Sequence, residues 1–219
     1  MNLDKDGCEL WDGVISQKTI STIKADIEQL DQDIPRYGVR SVEKLLPSIH
    51  NLTQSKLLLG KASSILGQPA TLIRATLFDK STDENWFVPW HQDRTVPLSH
   101  KFEKDDWTNW TEKRGTIYAE APGPVLQKMI TFRIHLDDAF PENGCLKFIP
   151  ASHKSKLTTK QQKKLTSGKY HNCRRNAGDA FIMRPLLLHS SNKSSSKAPR
   201  KVIHIEYTSY KLDHGINWG

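Results

Sequence analysis

No stretch of this sequence stays apolar for the roughly 18–20 residues that a membrane-spanning helix requires. The amino terminus has acids at Asp4 and Asp6 where a secretory leader would carry bases and then an apolar core. Cytoplasmic residence, with no membrane partner, is the expectation. Cysteine is scarce: Cys8, Cys145 and Cys173 lie far apart with no C-x-x-C spacing. That argues against a disulfide framework and a thiolate zinc site, and for ordinary reduced thiols. Acids nearly vanish between Asn143 and Tyr207, where only Asp179 and Glu206 occur. Much of the formal charge of +8 therefore gathers in a basic stretch, residues 154–175, running from Lys154 to Arg175. No aromatic side chain interrupts Lys154 to Lys169 to stack on bases. A solvated, lysine-rich surface is the expected reading, and a nucleic-acid partner is not expected.

What is present fits one domain. The chain has 219 residues, 37% of them hydrophobic, enough for a substantial core. Ile20, Ile23, Ile27 and Leu30 recur at helical intervals, predicting a helix over 17–31 with Ser16 as its cap. A short helix is expected from Val42 to Leu46, ended by Pro47, and another from Leu52 to Leu66, closed by Gly67. Residues 1–69 thus read as a helical layer. From Ala70 the period becomes two. Strands are expected at Thr71–Phe78, Trp86–His91, Lys128–Leu136, Cys145–Ile149, Gly178–Arg184 and Val202–Tyr207, with Leu186–His189 extended. Residues 79–85 read as a polar turn, and Asn143-Gly144 as a tight hairpin. In the strand Lys128–Leu136, Ile130, Phe132, Ile134 and Leu136 share the face expected to pack on the helices. Arg133 shares the other face, in a polar interior or in solvent. The segment 98–127, with Trp107, Trp110 and Tyr118, has little visible pattern and reads as a lid or pocket mouth. Many short strands without βαβ alternation predict a mainly β fold with flanking helices, a sandwich or barrel.

The chemistry centres on Trp90-His91-Gln92-Asp93. In extended chain, residues two apart face the same side, so His91 and Asp93 offer adjacent donors. A second histidine would complete a two-histidine, one-carboxylate set that binds Fe(II) and leaves one face open. His189, at the end of the run Leu186–Leu188, is the candidate, and Arg200 follows eleven residues later. If the strands on either side of the intervening loop are hairpin partners, Arg200 ends near His189. Its fork then suits a dicarboxylate.

On these residues the chain resembles the phytanoyl-CoA dioxygenase family of Fe(II)- and 2-oxoglutarate-dependent oxygenases. Further motifs carry the likeness: Phe78-Asp79-Lys80, Thr131-Phe132-Arg133-Ile134-His135, Glu142-Asn143-Gly144-Cys145, Pro150-Ala151-Ser152-His153 and Arg200-Lys201-Val202-Ile203-His204. The resemblance spans roughly residues 70–210. Two departures, Ala151 before Ser152-His153 and Lys201 beside Arg200, do not touch the metal set.

The resemblance implies a double-stranded β-helix, also called a jelly roll and cupin-like, as one domain over 1–219 with its β core at 70–210. It implies that His91, Asp93 and His189 bind iron and act in catalysis. Arg200 would pair with the far carboxylate of 2-oxoglutarate, Ser191 would add a hydroxyl, and Arg133, Lys80 and Gln92 would reach the pocket. His135 and His153 read as structural, and Trp90 as packing. The implied reaction takes O2, turns 2-oxoglutarate into succinate and carbon dioxide, and hydroxylates a C–H bond of a small-molecule substrate. Asp93 argues against a halogenase, which lacks that carboxylate. Alternatives are a nucleic-acid- or protein-directed oxygenase and a catalytically silent binding module of the same fold. A zinc hydrolase could use the same three ligands but would not require the arginine.

Overall fold

The computed structural model describes residues 1–30, 34, 38–80, 85–213 and 215–219. Asp31 and positions 81–84, in the predicted first helix and polar turn, lie outside the described residues. The chain opens with α1 (Leu3–Asp6), β1 (Cys8–Trp11), α2 (Gln17–Glu28), β2 (Val39–Arg40), α3 (Pro47–Thr53) and α4 (Lys56–Leu66). Strands β3 (Thr71–Lys80), β4 (Val88–His91), β5 (Thr95–Leu98), β6 (Thr108–Lys113) and β7 (Thr116–Glu120) follow. After α5 (Gly123–Gln127) come β8 (Met129–His135), β9 (Leu146–Phe148), α6 (Thr159–Thr166) and β10 (His171–Asn172). The chain then runs through β11 (Ala180–Met183), β12 (His189–Ser191) and β13 (Arg200–Thr208).

Two antiparallel sheets build the double-stranded β-helix. The larger has the order β1-β11-β8-β13-β3-β2, the smaller β10-β9-β12-β4. A third sheet, β5-β7-β6, stands beside them. No helix is long and apolar enough to cross a membrane among the described residues.

The period-two pattern decides which face of the large sheet meets the helices. Ile130, Phe132 and Ile134 of β8 and Ile203, Ile205 and Tyr207 of β13 pack with Ile20, Ile23 and Ile27 of α2, Ile49 of α3 and Leu58 of α4. Full burial of each such side chain contributes about 1.5–3 kcal/mol, so this layer supplies much of the driving force for folding. The alternate residues face the other way. They are Arg74, Thr76, Phe78 and Lys80 on β3, Arg133 on β8, and Arg200, His204 and Glu206 on β13. A sheet face this polar is costly to bury unless its groups find partners or a ligand.

Several local expectations are corrected. Val42–Leu46 makes only a 3-10 turn over Val42–Lys44, and Pro47 starts α3 instead of ending a helix. Proline suits a first helical position because its missing N–H has no intrahelical acceptor there. Ser55 caps α4 through the Leu58 N–H, so the expected helix from Leu52 is split in two. The first 69 residues are not purely helical, since β1 and β2 extend the two edges of the large sheet. Ser16 caps α2 and left-handed Gly67 ends α4, as the sequence suggested.

Asn143-Gly144 does not form a β-hairpin: β8 and β9 belong to different sheets. A 3-10 turn, Pro141–Asn143, and Gly144 at φ +71° carry the chain between them. A Cβ at Gly144 would lie 2.5 Å from the Asn192 carbonyl oxygen and 3.2 Å from Lys80 Nζ. Gly144→Ala should therefore cost on the order of 1–3 kcal/mol. Thermal unfolding is the check: the midpoint should fall by several degrees, and an unchanged midpoint would show that the turn relaxes freely.

Candidate metal centre

The small sheet brings the two histidines together. His189 of β12 is the direct cross-strand partner of His91 on β4, with ring centroids 4.2 Å apart. Asp93 lies just past the end of β4, where its N–H donates to the Pro185 carbonyl at 2.8 Å. One ligand atom from each of His91, Asp93 and His189 falls within 4.8 Å of the others, a grouping that can hold a metal ion.

The backbone sets both rings in the same way. His91 Nδ1 lies 2.8 Å from the Pro89 carbonyl, and His189 Nδ1 lies 2.8 Å from the Leu187 carbonyl. Carbonyls only accept, so each Nδ1 carries the proton and each Nε2 presents a lone pair. Those Nε2 atoms lie 3.5 and 3.7 Å from the two oxygens of Asp93. Burial pushes His189 down to about 4, which keeps it neutral and able to ligate. Burial would raise the Asp93 carboxyl, but His189, His91 and His204 in their protonated forms outweigh it and hold the group well below the usual carboxylate range; a metal ion among the three ligands would take the place of those protons. Its Oδ2 is buried and has no hydrogen-bond partner among the described residues. Two aimed imidazole nitrogens and an unsatisfied carboxylate oxygen are what a ferrous ion would satisfy.

The cavity beside this cluster has a volume of about 280 Å³ and is lined by His91, Asp93, Arg133, His189, Ser191 and Arg200, among others. These six residues thus meet in one place, whereas Lys80 and Gln92, also expected to reach the pocket, do not line it. The route differs from the expectation for Arg200. Strands β12 and β13 are not hairpin partners, because they lie in different sheets, and Arg200 reaches the cavity from the sheet that faces β12.

Three cations are buried at this end. Arg200 is 3% exposed and Lys80 fully buried, and Arg133 Nε and Arg200 Nε have no hydrogen-bond partner among the described residues. Lys80 Nζ donates to Ser191 Oγ at 2.9 Å and to the Asn192 carbonyl at 2.6 Å. Burial and the positive charges of Arg200 and Arg133 bring Lys80 down to about 7, and Arg200 is lowered to about 10 by burial and Arg133. Such a cluster calls for an anion.

His204 is the residue sequence reasoning missed. Arg133 can only donate, so His204 Nδ1 accepts at 2.9 Å and the ring carries its proton on Nε2, 3.8 Å from Asp93 Oδ2. Its period-two spacing from Arg200 on β13 was the available signal. Gln92 does not line the cavity. Its amide donates to Ser155 and Leu186 carbonyls and accepts from Leu157 N–H, pinning the H-x-D segment from behind. In the segment 98–127, Tyr118 lines the cavity, whereas Trp107 and Trp110 pack on Phe102. That segment is not patternless: β6 and β7 form a hairpin around Arg114 and Gly115, both at positive φ. Thr108–Glu120, with its two-residue turn between β-branched and aromatic residues, held that signal.

The Lys80 environment sets a pH dependence. Its folded pKa of about 7 lies below the roughly 10.4 of an unfolded lysine, so between these values the unfolded chain binds more protons. Stability should then rise with pH in that window, on the order of a few kcal/mol in total. Comparing wild type with Lys80→Met by thermal unfolding from pH 6.5 to 9.5, the wild type should gain on the variant. A flat difference would mean that the amine is charged and paired.

No curated protein matches this chain at a significant level. It is similar to AviO1 from Streptomyces viridochromogenes Tue57 at 22% identity and TM-score 0.70, over 97% of this chain and 94% of that one. HygX from Streptomyces hygroscopicus, solved with nickel and 2-oxoglutarate, is similar at 17% identity and TM-score 0.69, over 94% and 84% of the two chains. The epimerase SnoN, solved with Fe3+, alpha ketoglutarate and nogalamycin RO, is similar at 16% identity and TM-score 0.73, over 99% and 82%. These likenesses carry the fold. The family description phytanoyl-CoA dioxygenase (PhyH) matches residues 3–202. The protein therefore belongs to the phytanoyl-CoA dioxygenase family of Fe(II)- and 2-oxoglutarate-dependent oxygenases.

Proposed function

We propose that this protein is an Fe(II)- and 2-oxoglutarate-dependent oxygenase that hydroxylates a C–H bond of a small molecule. The observation that carries the reading is the convergence of His91, Asp93 and His189 beside a buried Arg200 whose Nε has no partner among the described residues. When bound, iron together with 2-oxoglutarate and O2 supplies the oxidising power, with succinate and carbon dioxide released. The protein contributes position and dryness. His91 and His189 offer Nε2 because their own backbone carbonyls hold Nδ1–H. Asp93 completes the set and gives the site its negative charge. Arg200, with Arg133 near it and Lys80 behind Ser191, would grip the far carboxylate of 2-oxoglutarate. None of the exposed lysines of α6 lines the cavity, which favours a small substrate over a nucleic acid.

SnoN, an epimerase of the same fold, shows that this scaffold is not confined to hydroxylation. The product distinguishes the outcomes. A metabolite screen for stimulated succinate formation should yield a product heavier by one oxygen atom, whereas a product of unchanged mass would point to epimerisation. Asp93→Ala should abolish the stimulated succinate, and retained activity would remove the metal assignment. Arg200→Gln should raise the KM for 2-oxoglutarate by about tenfold or more, the loss of a charge-assisted pair. An unchanged KM would place the co-substrate elsewhere.

A further inference from the structure

The cavity is far more positive than the co-substrate needs. Its lining includes Arg40, Arg74, Lys113, Arg133 and Arg200, and among the described residues Asp93 is its only carboxylate. These cations fall into two groups, separated along the strands. Arg200 pairs with Lys80 across β13 and β3, while Glu206, six residues on, pairs with Arg74. Six residues of strand span roughly 20 Å. His204, whose ring faces Asp93, lies between them. The Arg74 end is therefore on the opposite side of the candidate metal centre from Arg200.

At that end Arg74 is already neutralised by its buried ion pair with Glu206. Arg40 and Lys113 are exposed and have no ion-pair partner among the described residues. Arg40 pairs with Thr76 across β2 and β3, and both line the cavity. Lys113 and Thr111 line it from β6, and the intervening Glu112 alternates to the other face. The nearby Glu120 is held by Lys156 at 2.9 Å and Arg94 at 3.9 Å. Between the two arginines stands Tyr118, with Arg40 6.0 Å and Arg74 5.6 Å from its ring centroid. Uncompensated cations at the mouth of a cleft concentrate anions there.

We propose that Arg40 and Lys113, with Tyr118 between the arginines, bind an anionic group of the substrate: a carboxylate, sulfate or phosphate. This names the substrate class for the function proposed above, and it rests on that reading of the Arg200 end. The substrate's charged group would sit at the mouth, leaving its uncharged part beside the metal ligands. The same charges disfavour a polycationic substrate.

The test uses the full protein loaded without oxygen with Fe(II) and 2-oxoglutarate, so that the Arg200 end is filled. The probes share a naphthyl reporter: 2-naphthoate, 2-naphthalenesulfonate and 2-naphthyl phosphate, against neutral 2-naphthalenemethanol and cationic 2-naphthylmethylammonium. Calorimetry or fluorescence anisotropy reads their binding. The anions should bind at least about tenfold more tightly than the neutral and cationic probes. Their ranking tells which anion the mouth suits. The double variant Arg40→Gln/Lys113→Gln should lose the preference. Equal binding of all five probes would overturn the proposal. So would a preference that survives in the double variant and disappears in Arg200→Gln. Binding of labelled 2-oxoglutarate to the same preparation is measured separately by equilibrium dialysis. Its failure, with the anion preference intact, would defeat the functional reading and leave the mouth site standing.

Discussion

The structure depends on one cross-strand pair. His91 and His189 stand opposite one another on antiparallel neighbours of the small sheet, and each ring is fixed by a carbonyl two residues before it. The pairing registers β4 against β12, and with them the loop that carries Asp93. On the inner face of the large sheet, Arg133, Arg200 and His204 line the cavity beside this pair. That face is tolerable because the opposite face buries Ile130, Phe132, Ile134 and their neighbours against the helices. The helix side carries the larger apolar cluster; on the other side Phe181 and Met183 pack with Leu146 and Phe148 beside the polar groups of the site.

The fold and the grouping of the candidate metal ligands were legible because both begin from a period of two. Alternation in Lys128–Leu136 told the helix-facing residues from Arg133, and the same rule put His91 and Asp93 on one side. The family motifs then joined His189 and Arg200 to them. Local punctuation was less readable. Pro47 and Asn143-Gly144 each serve two kinds of boundary, and tertiary context chose the one that pattern did not favour. The hairpin β6–β7 was overlooked because its turn is Arg114-Gly115, and arginine is an uncommon occupant of a left-handed position. His204 was overlooked for another reason: its importance lies in contacts with Arg133 and Asp93, far away in sequence.

Charge is arranged with comparable economy. Among the described residues, negative charge in the cavity is confined to Asp93, where a metal would use it. Positive charge lies on both sides of that point, buried at Arg200, whose Nε has no partner among the described residues, and exposed at Arg40 and Lys113. A cation left without a partner in a protein interior is unfavourable, so its retention points to a ligand that supplies the missing anion. The lysines of α6, by contrast, are exposed and do not line this cavity.

The most direct measurement is a crystal structure of the protein grown without oxygen in the presence of Fe(II). The account expects one ion about 2.0–2.2 Å from Nε2 of His91, Nε2 of His189 and an oxygen of Asp93, with both Nδ1–carbonyl hydrogen bonds retained. Iron held through Nδ1, with those bonds broken, or bound away from the three side chains would contradict it.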